Sequence, residues 1–292
     1  MAAAVSRVGP ALALTFNAFA WGVSWWPFRE LQAQGLHPLW ATVLIYGVAL
    51  VAITAWRRGA WVELARTRSL WPLVLAAGVT NAAFNWGVTV GDVVRVVLLF
   101  YLMPLWAVLL ARLLLHEPLT RAAGLRVALA LTGAAIVLWP AAGMGDLPLP
   151  RTLPEWLGVL GGFSFALNNV MLRREAAQPE AVRALAMFLG GAVVAGGLAA
   201  ALSAAGAVPL PPAPAAGWVL GALALAAAFL AGNLALQYGA ARLPANVTAV
   251  IMITEVLFAA GSAIWLGAGS VTPALALGGA LIVGATLLAG RD

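Results

Sequence analysis

The chain has 292 residues, of which 63% are hydrophobic and only 9% are charged, and its formal net charge is +6. Soluble domains carry roughly 25% charged residues, so this composition predicts an integral membrane protein. The chain has no cysteine, and all 16 of its basic residues are arginine. These absences exclude disulfides and thiolate metal sites, and also the lysine of a P-loop ATPase or of a Schiff base.

Ten long apolar runs follow one another along the chain. A hydrocarbon core about 30 Å thick is crossed by roughly 20 apolar residues in a helix. The runs are 11–28, 39–56, 70–90, 96–115, 122–140, 153–172, 184–203, 217–239, 247–266 and 274–289. We therefore predict an all-α integral membrane protein of ten transmembrane helices, in which residues 1–292 form a single membrane domain.

The arginines indicate how the chain is oriented. With the N-terminus in the cytoplasm, 13 arginines fall on the cytoplasmic side and only Arg29, Arg95 and Arg151 fall outside. This bias follows the positive-inside rule and predicts cytoplasmic termini in the inner membrane of a bacterium. Because orientation explains the basic charge, we expect no nucleic-acid partner. The first run follows Arg7 as in a signal peptide, but it is too long for one, so we expect it to be retained.

Polar and aromatic residues share one face of the first and sixth predicted helices. They recur at the three- and four-residue spacing that places side chains together on a helix. The stripe is Asn17, Trp21, Ser24 and Phe28 in the first helix, and Gly161, Phe165, Asn168 and Leu172 in the sixth. The candidate binding residues of these two helices are Asn17, Trp21, Ser24, Trp25, Phe165, Asn168 and Asn169. The two faces are either packing stripes with incidental polar groups or the lining of a binding cavity.

Two similar stretches, 81–87 and 233–239, lie in the third and eighth predicted helices, 152 residues apart. Each contains an asparagine, three small or apolar residues, a carboxamide, an aromatic residue and a glycine. Residues four apart share a helix face, so each stretch presents two amides in one direction. An unpartnered amide in an apolar membrane costs several kcal/mol; these amides therefore either join helices or bind a polar solute. The candidate binding residues are Asn81, Asn85, Trp86, Asn233, Gln237 and Tyr238.

The fourth and ninth helices each carry an unusual residue. Pro104, close behind the candidate binding residue Tyr101, predicts a kink because proline removes a backbone donor. Glu255 is the one acidic residue deep in any predicted span, and a carboxyl group at that depth is functional by default. It either carries protons, binds a substrate ammonium group, or makes a structural hydrogen bond.

The two polar stretches recur after five helices. Because five is an odd number, the second copy must insert upside down relative to the first. Inverted repeats place a shared site near the bilayer midplane and permit alternating access. We predict repeat 1 at residues 1–142, a linker at 143–152 and repeat 2 at 153–292.

Several motifs resemble the EamA-type transporters of the drug/metabolite transporter (DMT) superfamily. They are the run 234–245 followed by Glu255 and Thr272 in the second half, and Trp21-Gly22, Pro104, the run 113–120 and Gly124 in the first. The sequence is similar, more narrowly, to the YddG-type exporters of aromatic amino acids. It departs from the family at 267–270, where Gly-Ala-Gly-Ser replaces an acidic turn. The resemblance implies efflux of amino acids or similar metabolites through a cavity lined by helices one, three, four, six, eight and nine.

We therefore predict a secondary transporter that exports aromatic and other neutral amino acids from the cytoplasm by alternating access. Carboxamides can both donate to and accept from a zwitterion, and aromatic faces attract an ammonium group. The alternatives are export of other small metabolites or drugs, and a membrane channel. We expect no enzymatic activity and no metal or other cofactor, because buried His, Cys and Lys are lacking. The expected partners are the substrate, the lipid bilayer and protons, and we expect a monomer.

Overall fold

The computed structural model describes residues 8–114, 116, 121–138, 149–240, 242, 251–252 and 254–289. These residues are helical, with no strand among them. The first half contains α1 (Val8–Val23), α2 (Trp25–Ala33), α3 (Pro38–Trp56), α4 (Ala60–Arg66), a 3-10 turn (Arg68–Leu70), α5 (Trp71–Val90), α6 (Val93–Phe100), α7 (Met103–Leu114) and α8 (Arg121–Leu138). The second half contains α9 (Leu153–Arg174), α10 (Glu180–Ala204), α11 (Ala216–Ala240), α12 (Thr254–Trp265) and α13 (Pro273–Ala289).

Five of the described helical segments are long and apolar enough to cross a membrane. They are Pro38–Trp56, Arg68–Val90, Val93–Leu114, Glu180–Ala204 and Ala216–Leu236. Shorter apolar helices lie at Val127–Val137, Thr254–Trp265 and Pro273–Ala285. The all-helical membrane class is therefore confirmed, whereas the count of ten helices and the inverted repeat stay predictions. Much of the predicted linker, and the start of the ninth predicted helix, lie outside the described residues.

Two of the predicted membrane helices are interrupted. The first divides at Ser24, between α1 and α2, where the Ser24 hydroxyl donates to the carbonyl oxygen of Trp21 at 2.7 Å. The fourth divides at Tyr101 and Leu102, just ahead of Pro104. Proline has no N–H, so it cannot bond the carbonyl one turn earlier, which belongs to Phe100.

The helix contacts between the two halves form equivalent pairs. α5 packs on α9 just as α11 packs on α1, and α9 packs on α6 and α7 just as α1 packs on α12. α3 meets α10, and α8 meets α13. If each predicted helix is replaced by the one five positions away in the chain, every one of these contacts becomes another contact of the set or stays the same. Helices of both halves therefore surround one central region.

Glycines let two pairs of helices approach closely. Gly78 of α5 and Gly190 of α10 face one another, and a Cβ on Gly190 would collide with the carbonyl oxygen of Val74. Gly133 of α8 and Gly278 of α13 meet in the same manner, and a Cβ on either would lie 2.5–2.6 Å from the carbonyl oxygen of the other. Small residues at such crossings permit the close backbone contact that holds membrane helices together.

One end of the bundle, called here the Glu155 end, is tied together by arginines. Arg29 of α2 donates to the carbonyl oxygens of Thr89 at 3.0 Å and Gly91 at 2.5 Å, at the end of α5. Arg95 of α6 pairs with Glu155 of α9 at 2.6 Å. At the other end of α5, called the Arg57 end, the Ser69 hydroxyl donates to Glu175 at 2.8 Å.

Candidate substrate-binding cavity

A cavity of about 790 Å³, its open mouth included, lies where the helices of the two halves meet. Its lining is mostly aromatic and amide. The lining residues are Asn17, Trp21, Tyr46, Ala77, Thr80, Asn81, Phe84, Phe100, Phe165, Asn168, Met187, Phe188, Phe229, Asn233, Leu236, Met252 and Glu255.

Two lining asparagines present unsatisfied oxygens. The Nδ2 group of Asn17 donates to the carbonyl oxygen of Gly232 at 2.9 Å, while its Oδ1 has no partner among the described residues. The Oδ1 of Asn168 is equally without a partner within the described part of the chain. These side chains are only 1% and 2% exposed. Because a buried unpaired acceptor costs about 1–3 kcal/mol, both oxygens are suited to a donor that arrives with a ligand.

Asn81, in contrast, is already held by the protein. Its Oδ1 accepts a hydrogen bond from the hydroxyl of Tyr46, and its Nδ2 donates to the carbonyl oxygen of Ala77 at 2.7 Å. The neighbouring Thr80 hydroxyl donates to the carbonyl oxygen of Ala76 at 2.7 Å. This wall of the cavity is therefore preorganised by α3 and α5.

Glu255 contributes a carboxyl group to the lining. This group, in the second half, is hydrogen-bonded to a residue of the first half. The Tyr101 hydroxyl, at the break between α6 and α7, lies 3.1 Å from Oε2 of Glu255 and 3.3 Å from the carbonyl oxygen of Met252. Both side chains are buried. A single phenol thus links the interrupted helix of the first half to α12.

Aromatic rings form the apolar walls. Trp21 stacks on Phe229 with 4.4 Å between ring centroids. Phe100 contacts Phe84 at 4.9 Å and Phe165 at 5.2 Å. These rings come from both halves, so an apolar or aromatic ligand body would contact each half at once.

The structure brings seven of the predicted site residues to the cavity and places others elsewhere. Those at the cavity are Asn17, Trp21, Asn81, Phe165, Asn168, Asn233 and Glu255. Tyr101 does not line the cavity itself but is hydrogen-bonded to the lining residue Glu255. The side chain of Gln237 lies outside the described part of the structure. The remaining predicted residues are Ser24, Trp25, Asn85, Trp86, Asn169 and Tyr238, and none of them lines the cavity.

Physical reasons account for these other placements. Trp25 is buried and donates to Ser262 at 2.9 Å, and Asn85 is buried and donates to Thr42 on α3 at 3.0 Å. Trp86 packs edge-on against the ring of His37 at 5.5 Å. Asn169 is exposed, and Tyr238 is 44% exposed beneath the Arg242 guanidinium.

Sequence reasoning missed several lining residues, chiefly aromatic ones. Ala77, Asn81 and Phe84 lie at i, i+4 and i+7 on α5, so helical spacing from Asn81 could have found Phe84. No comparable signal marked Phe100, Phe188 or Phe229, since apolar rings are common throughout this chain.

A second, shallower cavity of about 870 Å³, open space included, shares Asn233 with the first. It lies between α3, α10 and α11 toward the Arg57 end. Its other lining residues are Ala52, Ile53, Trp56, Glu180, Ala181, Ala184, Leu230 and Leu234. Asn233 therefore lies where the two cavities meet. Among the described residues, no group of three or more His, Asp or Glu side chains could hold a metal ion.

The apolar helices indicate a multi-pass membrane protein, and the cavity is its candidate small-molecule site. Residues 9–139 match the model of the EamA-like transporter family, of the DMT superfamily, so this segment is similar to the transporter domain of that family. The match agrees with the broader resemblance found in the sequence. The members of this family are transporters rather than enzymes. The YddG-type resemblance stays a prediction.

Solved structures also match the chain. Fifteen chains do so, and one crystal structure superimposes with a TM-score of 0.59 over 97% of both chains, at 20% sequence identity. Identity at this level shows a shared fold alone. No curated protein matches the sequence.

Proposed function

We propose that this protein is a secondary transporter that exports amino acids, aromatic and other neutral ones, from the cytoplasm by alternating access. The observation that carries the proposal is the cavity itself, which is lined by aromatic rings and asparagines contributed by both halves. A solute in that position contacts two units that can move against each other. The family match supports small-molecule transport.

We further propose that the two halves are inverted five-helix repeats and that both termini are cytoplasmic. The paired exchange of helix contacts supports the repeat. The family match over residues 9–139 falls within the proposed first repeat. Seven arginines, Arg57, Arg58, Arg66, Arg68, Arg173, Arg174 and Arg183, lie toward the Arg57 end, which supports a cytoplasmic location for that end.

The second cavity supports entry from the same side. It leads from the Arg57 end to Asn233, whereas the Glu155 end is tied by Arg29 and by the Arg95–Glu155 ion pair. A substrate would enter beside α10 and α11 and reach the aromatic cavity past Asn233. Glu255 is the candidate for proton coupling or for contact with the substrate ammonium group.

The test is counterflow of radiolabelled phenylalanine and other amino acids into liposomes that contain the purified protein. A transporter gives saturable counterflow that unlabelled substrates compete away. A channel would pass current without counterflow, and an enzyme would change its substrate chemically. Absence of counterflow with every amino acid and small metabolite tried would contradict the proposal.

A matched pair of variants on α10 ties counterflow to the cavity. Met187 lines it, whereas Val193 is 58% exposed on the same helix. Met187→Trp adds a bulky ring to the cavity and should abolish counterflow. Val193→Trp adds the same ring at the exposed surface and should leave counterflow unchanged.

A further inference from the structure

Two buried hydrogen-bond acceptors of the cavity lining have no partner among the described residues. The carbonyl oxygen of Gly232 can only accept, so the amide group of Asn17 that faces it must be the NH2. The Oδ1 of Asn17 is thereby fixed as an unpartnered acceptor, and the Oδ1 of Asn168 is a second one among the described residues. Both are more than nine-tenths buried.

Four donors of the lining, in contrast, are in use within the protein. Asn17 donates to Gly232, Asn81 donates to Ala77, and Thr80 donates to Ala76. The Tyr46 hydroxyl is directed at the Oδ1 of Asn81. These four groups are therefore not available to a ligand that needs to accept hydrogen bonds.

The charge of the lining favours a cation over an anion. Glu255 is the one ionisable acid or base in the lining other than the phenol of Tyr46, and none of the described arginines contributes to it. The chain has no lysine that could take an arginine's place. A buried carboxylate without a cationic partner is strongly disfavoured, whereas an ammonium group would meet acceptors, a carboxyl group and aromatic faces.

We infer that the cavity recognises a protonated amine on an aromatic or apolar body, and that a substrate carboxylate is not required for binding. Asn17 and Asn168 accept from the ammonium group, and the rings of Trp21, Phe100 and Phe229 contact the body. This inference rests on the proposed function, because it specifies the substrate class of the same cavity. It extends that function from amino acids to amines that lack the carboxylate.

Three compounds that share one ring and chain length test the inference at pH 7. Phenethylamine carries only the ammonium group, phenylalanine carries both charged groups, and 3-phenylpropionate carries only the carboxylate. We expect phenethylamine to bind the purified full-length protein at least as tightly as phenylalanine, and 3-phenylpropionate to bind at least tenfold more weakly than either. Tryptophan fluorescence and competition against radiolabelled phenylalanine measure the affinities.

Variants then assign the effect to the asparagine oxygens. Asn168→Leu keeps the approximate side-chain size and removes the acceptor, so affinity for phenethylamine should fall about tenfold while that for 3-phenylpropionate stays the same. Asn17→Leu should act in the same direction. Thr15→Val on α1 is the control, since the Thr15 hydroxyl donates to its own helix at Ala11 and lies outside the cavity lining.

The outcomes separate this inference from the proposed function. If 3-phenylpropionate binds as tightly as phenethylamine, or phenylalanine binds more than tenfold tighter than phenethylamine, the inference is wrong although the protein can still transport amino acids. If the protein shows counterflow of other amino acids but binds none of the three compounds, the inference is also wrong. If no compound shows counterflow, the proposed function fails as well. The three wild-type affinities decide the matter even if a variant does not fold.

Discussion

The two halves of the molecule differ in how closely two corresponding helices pack against each other. In the first half α3 packs against α5, and the Tyr46 hydroxyl bonds the amide of Asn81. In the second half the corresponding helices, α10 and α11, are hardly in contact, and the second cavity opens beside them. Phe188 of α10 packs edge-on against Tyr46 at 5.2 Å.

Under the proposed inverted repeat, this difference is one of conformational state rather than of fold. If the halves are inverted repeats, exchanging their local arrangements describes the opposite state. In that state α10 and α11 would close together while α3 and α5 would part. The following predictions test the comparison, beginning with the largest expected effect.

The carboxyl group of Glu255 is present in one half only, since the position 151 residues earlier is Pro104. If it carries protons, Glu255→Gln will abolish accumulation of substrate against its gradient and leave downhill flux. The measurement is amino-acid uptake into inverted vesicles with and without an imposed pH gradient. Wild-type accumulation by the variant at every pH would show that Glu255 is not the coupling group.

Gly190 allows the close approach of α10 to α5. Gly190→Ala would place a Cβ against the carbonyl oxygen of Val74, and we expect it to reduce stability by about 2–3 kcal/mol. Gly47→Ala on α3 is the matched control, because nothing lies within 4 Å of its added Cβ. Thermal unfolding in detergent, followed by size-exclusion chromatography, measures both. Equal losses for the two variants would contradict the described contact.

The bond from Tyr46 to Asn81 can be removed without changing the shape of the ring. Tyr46→Phe removes the hydroxyl that holds α3 to α5 and should cost about 0.6 kcal/mol, the average for hydrogen bonds between membrane helices. It should also favour separation of α3 from α5. Because the chain has no cysteine, two introduced cysteines can carry spin labels that report this distance. A distance distribution identical to that of the unsubstituted protein would refute the link.

Asn85 should have the smallest effect on binding. It is fully buried, donates to Thr42 and lies outside the cavity lining. Asn85→Leu should therefore leave phenylalanine affinity within about twofold of the original, although it alters a buried hydrogen bond. A tenfold loss of affinity, with stability unchanged, would assign Asn85 a role in binding.

Much of the fold follows from simple features of the sequence. Apolar runs of about 20 residues specify membrane helices, and the placement of Pro104 anticipates the break before it. The four-residue spacing of Asn17 and Trp21 also places them on one face of the first helix, and both line the cavity. Division of the first predicted helix at Ser24 was not specified, because serine is compatible with a helix and bonds locally to Trp21.

The finer arrangement of the site depends on packing that the sequence does not show. Asn81 and Asn85 lie one turn apart, yet the first lines the cavity and the second bonds α3. Which asparagine faces which neighbour depends on the rotation of α5, and contacts such as Gly78 with Gly190 define that rotation. Such contacts join positions more than 100 residues apart.

The ties at the Glu155 end have a consequence for the kinetics of the transport cycle. In the proposed cycle, release on that side requires Arg95 to separate from Glu155, and Arg29 to release the carbonyl oxygens of α5. None of these groups lines the cavity, so the energy needed to separate them is the same for every bound compound. If this opening is the slowest step, the turnover number will be nearly constant across substrates whose affinities differ widely.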